Sequence, residues 1–219
     1  MSMADAAIYR SRRSGTRRAN LKKSLFIALA LLVLPFSLVI SSGTANAAIE
    51  TEKSLSARLL TDAELKAALA ANGVTLNFDG AGIDLRDSDI NLPDMVASGR
   101  IWSTTDNSGF ADVLVSYKDG RAIPADMRDG VLKGDMARGF LEGLYKNLAY
   151  KGQLEDKDLG PNEAVQGFEG TDPNGNVDRI AVVSFVRGNI FGMVLYATAD
   201  NQLVEALSAF GGQLAKLPK

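Results

Sequence analysis

"DRIAVVSFVRGNIFGMVLYATA", residues 178–199, is the stretch that decides the fold. Two apolar runs flank Gly188-Asn189. A two-residue connection with Gly in first place suits a type II′ turn, whose first central residue needs a positive φ. In the first run Val182, Ser184 and Val186 point one way, and Val183 and Phe185 the other, because side chains alternate along a strand. Both sides are largely apolar. This predicts a central strand covered on both faces.

The neighbours extend the pattern in both directions. "AVQGFEGT" (164–171) is a third strand, joined to the hairpin by the turn-rich "DPNGNV" (172–177). After the hairpin, Asp200 is placed to cap a helix in which Leu203, Leu207, Phe210, Leu214 and Leu217 form one apolar stripe. Upstream, "GRIWSTT" (99–105) and "FADVLVSY" (110–117) read as a second hairpin around "DNSG" (106–109). "LTDAELKAALAANG" (60–73) reads as a helix. Thr61 and Glu64 make a capping box, Leu60 and Leu65 a hydrophobic staple, and Gly73 the stop. Val74, Leu76 and Phe78 alternate, which predicts a short strand after it.

"IPADMRDGVLKGDMARGFLEGLYKNLAYKG" (123–152) reads as one long helix. Pro124 suits its start, and Met127, Val131, Phe140, Leu144 and Leu148 recur at helical spacing with one longer gap. Gly130, Gly134, Gly139 and Gly143 weaken it, and a break near Gly134 is the alternative. Gly139 and Gly143 offer a smooth patch for close packing on a sheet. The order of elements is that of an α+β domain: a twisted antiparallel sheet with helices packed on its faces, an α/β/α sandwich.

The first 47 residues differ from the rest. Seven basic residues precede an apolar run from Leu25 to Ile40, and Ala45-Asn46-Ala47 closes the segment. This is the pattern of a bacterial signal peptide cut after Ala47. The run is about 16 residues and contains Pro35, short of the roughly 20 needed to span a bilayer. The membrane would be met only through an uncleaved leader. Thr16, Arg17, Arg18, Leu21 and Lys22 fit a twin-arginine pattern. Asn20, however, stands where an apolar or aromatic residue is usual, and the general secretory route is the reading adopted. Residues 48–60 read as a mobile lead-in and 61–219 as a single domain.

The leader holds seven of the 24 basic residues and one of the 26 acids, so residues 48–219 carry a net charge of −8. That argues against binding a phosphate backbone, which needs clustered Lys and Arg; no nucleic-acid partner is expected. The sequence has no Cys and no His. A disulfide framework is excluded, and so is imidazole-based nucleophilic or zinc chemistry. No P-loop, G-x-S-x-G or G-x-G-x-x-G motif is present. No cofactor is expected.

Asp79, Asp84, Asp87 and Asp89, in "DGAGIDLRDSDIN", are the candidate ligand-binding residues, since oxygen ligands at that density suit a hard cation. Asp87-x-Asp89-x-Asn91 begins like an EF-hand loop, but Leu92 replaces its glycine and Ser98 its twelfth-position Glu. A solvated acidic loop explains the same composition. Asp172, Asn174, Asn176 and Asp178 alternate in "TDPNGNVD", as turn-forming residues do for backbone reasons. Trp102 and Tyr117 could form a ligand-facing platform across their hairpin, or simply pack in the core.

The block "VQGFEGTDPNGNVDRIAVVSFVRGNIFGMVLYATADNQLVEALSAFGGQL", roughly residues 163–215, resembles the PsbP-like and DcrB-like group of exported proteins. The resemblance implies an α/β/α sandwich and an accessory or binding role at a membrane. It supplies no site residues. The function expected is that of an exported, non-catalytic cell-envelope protein that binds a partner protein or small ligand. The alternatives are a carboxylate-based hydrolase of envelope polysaccharide and a calcium-stabilised secreted protein.

Overall fold

The computed structural model describes residues 49–85, 94–106, 108–154, 159–172, 175–199 and 203–217. Seven strands form one sheet: β1 (Ile83–Leu85), β2 (Met95–Ser103), β3 (Gly109–Tyr117), β4 (Lys146–Leu154), β5 (Glu163–Thr171), β6 (Val177–Arg187) and β7 (Ile190–Thr198). Their spatial order is β1-β2-β3-β7-β6-β5-β4, with every neighbouring pair antiparallel. The helices are α1 (Glu52–Arg58), α2 (Asp62–Ala71), α3 (Ala125–Lys133), α4 (Asp135–Glu142) and α5 (Leu203–Leu214).

The hairpin read first is present. Arg187 pairs with Ile190 across the two-residue turn, and Gly188 has φ 61°. The alternation also holds: Val182 and Val186 pack with one core, Val183 and Phe185 with the other. All nine residues of β7 are buried, so the second strand of the hairpin is the more central. Gly192 on β7 is required by close packing. A Cβ there would collide with the Val113 carbonyl oxygen and stand 2.8 Å from the Phe185 ring.

The sheet separates two apolar layers. On one face Val113, Val115, Phe191 and Met193 meet Val131 and Phe140 of α3 and α4. On the other, Leu114, Phe185 and Val194 meet Leu55 of α1, Leu65 of α2 and Phe210 of α5. This is the α/β/α sandwich with an antiparallel sheet that the order of elements predicts.

Four local expectations are corrected. The long helix at 123–152 is interrupted at Gly134, whose left-handed backbone (φ 85°) ends α3 and starts α4. Its last seven residues belong to strand β4, paired with β5. The apolar positions Leu148 and Tyr150 fit an edge strand as well as a helix, and pairing with β5 decides between them. Gly139 is not a point of close packing, since a Cβ there would meet nothing within 4 Å. Val74–Phe78 supplies only one bridge, Phe78 to Thr104. Part of the lead-in forms α1, capped by Thr51 and Ser54, with Leu55 wholly buried.

Candidate functional site

A polar cleft lies where the start of α2 meets β1 and β2. Thr61, Asp62, Ala63, Gly82, Asp84 and Arg100 line an open cleft of about 360 Å³. The capping box brings α2 to this place: Thr61 Oγ1 accepts from the Glu64 amide at 3.2 Å, and Glu64 Oε2 accepts from the Thr61 amide at 2.7 Å. Asp62, the next residue, therefore faces the rim. Its Oδ1 accepts from the Trp102 indole N–H at 2.8 Å and the Gly82 amide at 3.0 Å. The indole hydrogen bond, with help from the Gly82 amide, holds the Asp62 carboxyl below the usual carboxylate range. A Cβ on Gly82 would stand 2.5 Å from Trp102 Nε1, so the chain passes too close to the indole for a side chain.

Arg100 connects the cleft to what lies beneath it. Its Nε donates to Asp84 Oδ1, and its Nη1 donates to the Leu60 carbonyl at 2.7 Å. Directly across the ladder from Arg100 is Asp112 of β3. Asp112 is fully buried. Its Oδ2 accepts from the Leu60 amide at 2.9 Å, and its Oδ1 has no hydrogen-bond partner. Burial pushes its carboxyl up to about 7, against the opposing pull of the Leu60 amide, Lys216 and Arg100. Lys216 Nζ donates to the Leu59 carbonyl at 2.6 Å and to Glu64 Oε2 at 2.7 Å. That ammonium brings the Glu64 carboxyl down to about 2.

The candidate residues fare differently. Asp84 joins the cleft, but its charge is met by Arg100. Asp79 is outside the lining and fixed by its backbone, its amide donating to the Ser103 carbonyl at 2.8 Å. Asp87 and Asp89 lie outside the described residues, as do Asn174 and Asp200. Asp172 accepts from the Asn176 amide and side chain at 2.8 and 3.1 Å, a turn of the kind its composition predicts, and Asp178 accepts from the Tyr145 hydroxyl. Among the described residues no group of three acids could hold a metal ion. Of the two readings of Trp102 and Tyr117, core packing holds and the platform does not form. Trp102 pairs with Phe110 and packs with α1 and α2, whereas Tyr117 pairs with Met95 at the far end of the hairpin and packs on the opposite face.

Asp62, Arg100 and Asp112 were not singled out by sequence pattern. Asp112 did carry a signal: it is the one charge in "FADVLVSY", a run otherwise suited to a buried strand.

No family model matches the chain, and no curated protein does. Among solved structures it is similar to the extracellular domain of PknH from Mycobacterium tuberculosis. The two are 14% identical, the match covers 76% of this chain and 96% of that one, and the TM-score is 0.46.

Proposed function

We propose that the chain is an exported, non-catalytic protein of the cell envelope that binds a partner protein or a small ligand. The observation that carries this reading is the state of the acids at the cleft. General acid catalysis needs a carboxyl that keeps its proton near neutral pH and can reach the substrate. Asp62 reaches the cleft but is held below the usual range, with two N–H donors fixed on one oxygen. Asp112 has the raised value but no exposed surface. The two properties reside in different residues. A rim of fixed acceptors and a tethered guanidinium suits recognition instead.

The leader supports export, by the general secretory route rather than the twin-arginine one. The likeness of residues 163–215 to the PsbP-like and DcrB-like group fits the same accessory role. The competing hydrolase reading has one point in its favour, that Asp62 and Asp84 share a cleft.

One experiment separates the two. Trp102 is the only tryptophan, and its indole N–H is bonded to the rim. In ¹⁵N-labelled protein it gives a single indole resonance, which can be followed as unlabelled envelope polysaccharide and envelope protein extract are added, with reducing ends assayed in parallel. A saturable shift that disappears in Arg100→Ala, without new reducing ends, is expected. Release of reducing ends that is lost in Asp84→Asn would overturn the proposal.

A further inference from the structure

Of the three residues between α1 and α2, the first two, Leu59 and Leu60, form a junction whose backbone is clasped by three charged side chains from other parts of the chain. Asp112 of β3 takes the Leu60 amide, Arg100 of β2 takes the Leu60 carbonyl, and Lys216, beyond α5, takes the Leu59 carbonyl. Neither cation bonds directly to Asp112. Arg100 is paired with Asp84, and Lys216 with Glu64. The Asp112 carboxyl is thus enclosed with one oxygen satisfied and the other bare.

Of the other charged groups on the elements packed here, Asp62 of α2 is held by Trp102 and Gly82, and Arg58 of α1 is paired with Glu50. Arg58 Nε and Glu205 Oε2 of α5 are themselves buried without a hydrogen-bond partner, and neither bonds to Asp112. On the β7 side, Asp112 faces Val194. No proton donor is at hand for the bare oxygen among the described residues.

We propose that Asp112 is a proton-controlled latch on the α1–α2 junction: protonated, it lets the junction seat on the sheet, and ionised, it drives the junction off so that water reaches the bare oxygen. An enclosed charge with an unsatisfied oxygen is costly, and opening the clasp at Leu60 is the shortest way to hydrate it. The neutral acid keeps the Leu60 hydrogen bond through Oδ2 without that cost. Burial places the change near neutral pH. The junction leads directly into Thr61 and Asp62, so release alters the cleft as well. The latch does not depend on the cleft being a binding site.

The sequence makes the test clean, because with neither His nor Cys few groups besides Asp112 and the α-amino group titrate between pH 6 and 8. The chain as recovered from the expressing cell is followed through its Trp102 indole ¹⁵N–¹H resonance from pH 5 to 9, in wild type and Asp112→Asn. A transition with a midpoint near pH 7 in the wild type, absent from Asp112→Asn, is expected. No wild-type transition, or the same transition in the variant, would overturn the latch. Should Asp112→Asn not fold, the wild-type Asp112 carboxyl ¹³C resonance decides. Co-titration with the indole sustains the proposal, and a carboxyl midpoint below pH 5 overturns it.

Discussion

Asp112 makes an unusual pattern of stability against pH the sharpest consequence of the structure. Its carboxyl moves from an ordinary 3.8 to about 7 on folding. The native state therefore keeps a proton that the unfolded chain releases. The favourable contribution of that proton is complete below about pH 4 and is lost as the pH rises through 7. At about 1.4 kcal/mol per pH unit, the whole effect is roughly 4 kcal/mol, of which roughly 2–3 kcal/mol falls between pH 5 and 8. This is an upper bound, because opening at Leu60 lets water relieve the charge. Glu64 acts in the opposite sense: its carboxyl, lowered to about 2, contributes stability that is lost as the pH falls below about 4.5. It is half-exposed, so screening limits it to about 1 kcal/mol. The two carboxyls together should make stability peak near pH 4 and fall from there to pH 7. Urea midpoints at pH 5, 6, 7 and 8 measure this in wild type and Asp112→Asn. The wild-type curve should fall and the variant's stay nearly flat. Parallel curves would refute the assignment to Asp112.

Three further outcomes follow from the packing. Leu55→Ala should destabilise the chain by about 2–5 kcal/mol in urea unfolding, because Leu55 is wholly buried and α1 belongs to the core. Gly192→Ala should cost about 1–3 kcal/mol or more in the same assay, since the Val113 carbonyl oxygen that its methyl meets is backbone and cannot swing aside. Asp62→Ala leaves the buried Trp102 N–H without its acceptor and should cost about 1–3 kcal/mol, read as a lowered melting temperature.

The central sheet was legible because its strands are long, alternate cleanly and meet at short turns. Gly188-Asn189 sets the turn, and Val183 and Phe185 then lie opposite Val182 and Val186. The capping box at Thr61 and Glu64 was legible for a similar reason, being local chemistry within four residues. Lys146–Leu154 was not. Leu144 and Leu148 repeat at helical spacing, and only the distant partner strand β5 makes this segment a strand. α1 was hidden by its length, one buried leucine in seven helical residues. The cleft was hidden more deeply. Asp62, Gly82 and Trp102 are far apart in sequence, and neither the indole-to-carboxylate bond nor the clasp on Leu60 follows any spacing rule. Asp84 was found among the acidic residues of its loop, but for a cation, whereas the structure gives it Arg100.

Export is read from the intact mass of the protein in fractionated bacterial cells expressing the full sequence. A species beginning at Ala48 is expected outside the cytoplasm, recovered in the same amount when Arg17→Lys and Arg18→Lys are combined. Full-length chain confined to the cytoplasm would contradict export.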